Sequence, residues 1–408
     1  MLTNINQCES NLSCKHYLTN KKRNCRLERV KGKEFCVQHI INTEISNETD
    51  DGGNRIRCPL DPSHTCDKKN LSKHMRKCNA KKLIPTDAWY VPDINCDPSE
   101  NKDGIVEYLR DVSISECKSL IDKLKKLELD DPILHENEHP IHNAFAVDIK
   151  DMENSVSALR QIRQNANLLG LMERQGLLVS PGCYIEFGAG RGQFSISVIK
   201  TIPIEKQSLC LFVLVDRGTN RRKLDAKHRQ SGDKMMIKRI RSDIKDLCIS
   251  NIEDLPSHPL VAISKHLCGV ATDFALKCIV RTSPKSKFHG GVIALCCHHR
   301  VIWDQYCGKE YFKHLGLSAR DFSIISLMSS WAVCHFKPST STNPVPNNVN
   351  KLDFLSNEEK TKVGLICKNV IDRGRVSYMI QNGYDCVLIE YTEKSVSLEN
   401  VALVFSKK

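Results

Sequence analysis

The sequence predicts an α/β protein, a Rossmann-like sheet preceded by two small zinc modules and a helical linker segment. Three observations lead there. Eight cysteines and histidines in the first 80 residues fall into two zinc-ligand patterns. A glycine-rich turn, Gly188-Ala189-Gly190-Arg191-Gly192, follows a short apolar run. From that turn onward strand-like and helix-like stretches alternate, the pattern of a parallel sheet covered by helices.

The first module spans residues 8–41 and offers Cys14, Cys25, Cys36 and His39, separated by ten, ten and two residues. Structural zinc takes four thiolate or imidazole ligands in a tetrahedron, and a module too small for a core can fold on that bond energy. Cys8 is an alternative to Cys14, which is preferred because it begins the even spacing. Residues 42–54 are polar and acidic and separate the modules. The second module, residues 55–82, offers Cys58, His64, His74 and Cys78 with gaps of five, nine and three residues. Those four complete a ligand set, so Cys66 is not needed.

Residues 81–102 hold three prolines and scattered acids and are predicted to be a linker. Residues 103–178 are predicted to form an acidic helical segment. Ile105, Leu109, Val112, Leu120, Ile121, Leu124 and Leu127 recur at helical spacing, with Lys123, Lys125 and Lys126 on the polar side. A second helical stretch, residues 151–178, runs into the Pro181-Gly182 turn. The remaining domain, residues 179–408, is predicted to carry strands at 184–187, 209–215, 236–241, 260–264 and 291–295. A helix around 360–382 then leads to a closing antiparallel pair at 386–391 and 401–405, which implies one reversed strand. The polar stretch 339–350 is predicted to be a surface loop.

Composition narrows the function classes. The chain has 408 residues, 40% hydrophobic and 26% charged, enough for one large domain with accessories. No apolar run approaches the ~20 residues of a membrane span, and the N-terminus lacks a charged-then-apolar signal segment. Twenty cysteines spread over such a chain point to reduced thiols, several of them on zinc, and to the nucleus and/or cytoplasm. The net charge of +12 is unevenly placed: +8 over residues 1–82, −8 over 83–180 and +12 over 181–408. Residues 217–241 alone hold ten basic side chains against two acids. Basic surfaces on either side of an acidic spacer suit a polyanion, and with zinc modules present that polyanion is expected to be nucleic acid.

The neighbours of the glycine turn select its ligand. In the dinucleotide pattern G-x-G-x-x-G the helix N-terminus receives a pyrophosphate. Here the third glycine comes one residue early, and Glu186 stands two residues before the first. An acid there disfavours phosphate and favours a cofactor bearing a sulfonium and an amino group. Asp216, closing the next strand, is placed to accept from a ribose diol, and Asp243, closing the third, from an adenine amino group. The cofactor expected at Glu186, Gly188, Gly190, Gly192, Asp216 and Asp243 is S-adenosylmethionine.

The two zinc patterns and the glycine turn occur in order with Ser264-Lys265-His266-Leu267-Cys268-Gly269, Cys296-Cys297-His298-His299-Arg300 and Ser329-Ser330-Trp331-Ala332-Val333. Ile371-Asp372-Arg373-Gly374-Arg375 and the stretch 395–400 complete the series. Taken together this series resembles the eukaryotic tRNA 2′-O-methyltransferases that modify nucleotide 4 of the acceptor stem, over nearly the whole chain. The resemblance implies a three-cysteine, one-histidine finger, a C-H-H-C finger and a class I methyltransferase domain, with two structural zinc ions and a tRNA partner. The C-H-H-C finger also occurs in a spliceosomal component, so alone it implies RNA binding rather than methylation. After Val333 the chain is richer in polar and proline residues than the family pattern, which bears on one loop.

Methyl transfer to a ribose hydroxyl asks for aligned oxygen, carbon and sulfur and for a group that takes the proton. In such a sheet the loops after the fourth and fifth strands face the transferred methyl. That selects Lys265 and His266 in one loop and His298 and His299 in the other, with Lys265 and His298 the expected catalytic pair. A lysine beside a sulfonium has a lowered pKa, and a histidine titrates near neutrality unaided. Loop ordering or phosphate binding is the alternative role for each. Cys296-Cys297-His298-His299 has a rival reading as a third metal site, completed by Cys268 or His266. Four adjacent residues cannot all wrap one tetrahedral ion, so buried cysteines acting as small hydrophobes are preferred. The competing function class is a noncatalytic RNA-binding or splicing factor, against which the acids around the turn argue.

Overall fold

The computed structural model describes residues 14–18, 23–25, 29, 34–36, 55–78, 87–99, 105–127, 133–135, 138–150, 155–218, 236–282, 288–334 and 354–408. The chain divides into two compact units, Met1–Pro85 and Thr86–Lys408. His39, the loop 339–350 and residues 219–235 of the basic stretch lie outside the described residues.

The first unit contains two small hairpins. β1 (Tyr17–Leu18) pairs antiparallel with β2 (Arg23–Asn24). β3 (Arg55–Cys58) pairs antiparallel with β4 (Asp61–Asp67), and α1 (Leu71–Lys77) follows. Among the described residues, those buried around the first hairpin are the cysteines themselves, Cys14, Cys25 and Cys36, with Phe35 partly buried against them. A module whose described core is a cluster of thiols can draw folding energy from bound metal.

The second unit is built on an eight-stranded sheet in the order β5-β11-β12-β10-β9-β6-β7-β8. The strands are β5 (Ile133–Leu134), β6 (Cys183–Phe187), β7 (Leu211–Val215), β8 (Met236–Ile240), β9 (Leu260–Cys268), β10 (Phe288–Cys296), β11 (Tyr384–Glu390) and β12 (Val401–Lys407). β6 to β10 run parallel, and β12 is antiparallel to both β10 and β11. This is the doubly wound order with one reversed strand near the edge, as the closing pair implied.

β6 and β7 are buried at every position because both faces are covered. Ile185, Phe187, Val213 and Val215 pack with Leu276 and Ile279 of α5 (Val270–Thr282) on one face. Tyr184, Phe212 and Leu214 pack on the other with Leu168 and Leu171 of α3 (Val156–Arg174) and Val198 of α4 (Gln193–Thr201). Tyr184 stacks on Phe212 with centroids 5.0 Å apart. A third apolar cluster joins α2 (Ile114–Lys126), α6 (Ala319–Met328) and α7 (Asn357–Gln381) around Trp303, Tyr306 and Phe312.

Three differences from the sequence reading have physical causes. The segment expected as a helical linker belongs to the second unit, with Leu120, Ile121 and Leu124 of α2 buried in the third cluster and α3 covering the sheet. β9 continues through Lys265 and His266 to Cys268, where a loop was expected, because a register shift between Ile293 and Leu295 lets the ladder resume at Leu295–Leu267. β5, too short for a periodic signal, adds an edge strand parallel to β11. Among the described residues no helix is long and apolar enough to cross a membrane, and the described cysteines form no disulfide.

Candidate active site and metal centres

The parallel strands deliver their carboxyl ends to one edge, where the chain order reverses between β6 and β9. That crevice is where ligands bind in open α/β sheets. β6 leads into Gly188, Gly190 and Gly192, all with left-handed φ of 67°, 50° and 79°. At Gly190 a β-carbon would meet no neighbour nearer than 4.0 Å, so the backbone faces open space that a ligand can approach. The conformation itself demands glycine.

Glu186 is buried and its carboxylate accepts from the Ser195 N–H at 3.0 Å and from the Ser195 hydroxyl. It thereby caps the first turn of α4 from outside the helix, since Gly192 at the N-cap has no side chain to do so. Burial pushes the Glu186 carboxyl up to about 7, against the Ser195 hydrogen bonds that pull it down. Asp216 clamps the turn from the next strand: its carboxylate accepts from the Gly190 N–H at 2.7 Å and the Gly218 N–H at 2.6 Å. Arg239 donates to the Gly190 carbonyl at 2.8 Å. Asp243 follows β8 and accepts from the Lys245 N–H at 3.2 Å, capping a short turn of helix. All six residues assigned to the cofactor therefore stand at the carboxyl edge of β6, β7 and β8. Glu186 and Asp216 already have work in shaping it.

Lys265 lies next along the edge, on β9. Its ammonium donates to the Gln161 carbonyl at 3.2 Å, Gln161 Oε1 at 2.7 Å and Asn165 Oδ1 at 2.6 Å. Burial lowers its pKa to about 8, with the charge of Glu186 acting the other way. His266, on the same strand, is lowered by burial and then by Lys265. His298 has a different setting. It is buried, its Nε2 lies 2.7 Å from Asp372 Oδ2, and its Nδ1 has no hydrogen-bond partner. Asp372 and Asp273 hold the fully buried Arg375 between them at 3.0 and 2.8 Å. Burial acts to raise the Asp372 carboxyl, but His298, Arg375 and Lys368 outweigh it and hold it below the usual carboxylate range. His299 is exposed.

Sequence reasoning missed Ser195, Gln161, Asn165, Asp273 and the Asp372–Arg375 pair as parts of this edge. Only the last pair had a signal. Ile371-Asp372-Arg373-Gly374-Arg375 puts two opposite charges three apart within an apolar helix face, and a β-carbon on Gly374 would sit 1.9 Å from the Tyr306 hydroxyl.

In the first unit the ligand atoms of Cys14, Cys25 and Cys36 lie within 4.8 Å of one another, as do those of Cys58, His74 and Cys78. Cys58 and Cys78 sulfurs are 3.5 Å apart and His74 Nε2 is 3.1 Å from Cys58 Sγ. A tetrahedral ion with Zn–S of ~2.3 Å separates its sulfurs by about 3.8 Å, so both groups fit zinc. His39 and the side chain of His64, expected as the fourth ligands, lie outside the described residues. Cys66 is buried and stands apart from the second group.

Three family models match this chain: a TRM13 methyltransferase over residues 162–406, a CCCH zinc finger of TRM13 proteins over 12–40, and a U11-48K-like CHHC zinc finger over 55–79. A mouse protein named tRNA:m(4)X modification enzyme TRM13 homolog is 35% identical, with 96% of this chain and 93% of the relative covered. The human protein of that name gives the same figures, and a Debaryomyces hansenii relative is 31% identical over 97% of this chain and 91% of its own. Among solved structures, a coclaurine N-methyltransferase is similar at 12% identity and a TM-score of 0.27, covering 84% of this chain and 95% of that one, which adds nothing to the strand order above. S-adenosylmethionine and two zinc ions are the cofactors consistent with these matches. With two zinc fingers ahead of a doubly wound domain, the chain belongs to the TRM13 methyltransferase family.

Proposed function

We propose that this chain transfers a methyl group from S-adenosylmethionine to the ribose 2′-hydroxyl of nucleotide 4 in a tRNA acceptor stem. The observation that carries the reading is the single edge on which the left-handed glycine turn, Glu186, Asp216, Asp243 and Lys265 stand together. The relatives are named for tRNA modification, which supports tRNA as the substrate class.

When bound, the cofactor supplies a methyl group already activated toward displacement. The protein's own part is alignment, charge and a proton acceptor. The open backbone at Gly190 admits the cofactor, and Glu186 provides a negative charge toward its cationic groups. Asp216 holds the turn in shape and would accept from a ribose hydroxyl of the bound cofactor, and Asp243 would accept from its adenine amino group. Lys265, with its pKa lowered into reach of neutrality, is the group that takes the hydroxyl proton, oriented by Gln161 and Asn165. His298, expected as its catalytic partner, is a positioning residue in this reading, because its side chain is buried and its Nε2 lies 2.7 Å from Asp372 Oδ2.

Nucleoside mass spectrometry after incubation of unmodified tRNA with the protein and labelled S-adenosylmethionine tests the proposal. A single 2′-O-methylated nucleoside mapping to position 4 is expected. Label on a base, at another position, or only on a different RNA overturns it.

A further inference from the structure

We propose that the methyltransferase unit carries a third zinc site, made by Cys268, Cys296 and Cys297, which ties the carboxyl ends of β9 and β10 together beside the catalytic edge. The site is defined by geometry and is independent of which RNA is methylated.

The two strands bring the thiols together through their register. Their ladder shifts between Ile293 and Leu295, and the shift puts Cys296 directly opposite Cys268 in the last parallel pair. The chain then leaves β10 through Cys297 in the left-handed region, at φ 53°, where a residue with a β-carbon is strained. That turn sends its sulfur back over the strand ends, 3.4 Å from Cys268 Sγ, while Cys268 and Cys296 sulfurs lie 3.7 Å apart. All three ligand atoms fall within 4.8 Å of one another.

The two finger groups calibrate this arrangement. They are the other groups of three such ligands among the described residues, and the Cys58–Cys78 separation of 3.5 Å lies between the two measured here. Sulfurs on a tetrahedral zinc ion stand about 3.8 Å apart, close to all three values. Cysteines that serve only as small hydrophobes behave differently in this chain: Cys278, fully buried, turns its thiol to the Leu247 carbonyl at 3.3 Å. Adjacent residues alone could not wrap an ion. Here one of the three ligands comes from a neighbouring strand, which removes that objection.

Cys268 is exposed, so the fourth position faces outward and is open to water or to a movement of Glu399, whose Oε1 accepts from the Cys297 N–H at 3.4 Å. Zinc would bind the three sulfurs as thiolates, releasing their protons to solvent. Since Lys265 lies three residues before Cys268 and His298 follows Cys297, the ion would hold both catalytic-edge segments in register.

The test is a metal count on the full chain, expressed in zinc-supplemented medium and purified under reducing conditions without chelator. Native mass spectrometry and elemental analysis should give three zinc ions per chain. The double variant Cys268→Ser/Cys297→Ser should hold one fewer than its parent, and Cys58→Ser should lose a different one, so that the combined variant loses both. Cobalt loading gives a second reading, with a lower sulfur-to-cobalt charge-transfer intensity in the double variant. Two ions in the parent, with no loss in the folded double variant, would overturn the site. So would a disulfide among these cysteines in protein kept under reducing conditions.

Discussion

At the scale of single residues, burial sets the chemistry of the edge. Glu186 has its carboxyl raised to about 7 by burial, so below that pH it is neutral in the protein without cofactor. The sign follows: its contribution to folding is present at low pH and is lost as pH rises through about 7. Cofactor binding runs the other way, because a sulfonium favours the ionised acid. Affinity for S-adenosylmethionine is expected to fall as pH drops from about 8 to about 6. In Glu186→Gln it should be weaker and nearly flat over that range by calorimetry. An unchanged pH profile in that variant would remove Glu186 from the cofactor's charge environment. Lys265 gives the complementary prediction. Turnover at saturating substrates should rise with pH through about 8, where its ammonium gives up the proton, and Lys265→Gln should lose about 100-fold in kcat with little change in cofactor affinity. A variant retaining wild-type kcat would eliminate it as the base. The residue types at this edge were legible in the sequence, since acids before and after a glycine turn limit the ligand. Their partners were not. Nothing in the spacing of Gln161, Asn165 and Ser195 reveals that they meet Lys265 and Glu186, because packing between helices and strands brings them together.

At the scale of elements, the turn after β6 is held by its neighbours as much as by its glycines. Asp216 fixes the N–H groups of Gly190 and Gly218. Asp216→Ala therefore removes the clamp together with the proposed ribose acceptor, and should weaken cofactor binding by about 1–3 kcal/mol. Asp216→Asn should recover part of that, because its amide oxygen can still accept from one backbone N–H. Calorimetry of the two variants separates the roles, and equal losses would mean that the carboxylate charge alone matters. The second device is the ion network that ties α5, α7 and the end of β10 through Asp273, Arg375, Asp372 and His298. Asp273→Asn leaves the buried Arg375 undercompensated and is expected to destabilise the unit by about 3–5 kcal/mol in urea unfolding followed by tryptophan fluorescence. A loss below about 1 kcal/mol would show that water reaches Arg375. Strand positions were readable because β-branched and aromatic runs alternate with helical ones. The extension of β9 was not, since a bulge in a partner strand leaves no mark on the sequence of β9 itself.

At the scale of the whole molecule, the chain's order of modules was legible and the allegiance of residues 103–178 was not. Their acidity reads as a spacer, yet α2 buries one apolar face in the second unit and α3 is buried on all sides from Gln164 to Met172, and net charge says nothing about either. The second unit consequently has a core of its own, from Trp89 to Phe405, and is expected to fold without the finger unit. This makes a truncation informative. Protein lacking residues 1–85 should remain folded and bind S-adenosylmethionine as the full chain does. Its tRNA affinity should fall tenfold or more, because residues 1–82 carry a net charge of +8 that can neutralise phosphates. An acceptor stem is an A-form duplex whose narrow major groove hides its base edges, so binding there leans on phosphates and shape. Each phosphate left without its basic partner should reduce the slope of log affinity against log salt by about 0.7–0.9. Filter binding at several salt concentrations therefore measures how many phosphates the fingers neutralise. If the truncated protein kept both its affinity and its salt slope, the fingers would have no part in holding RNA, and the basic residues 217–241 would have to supply the binding alone.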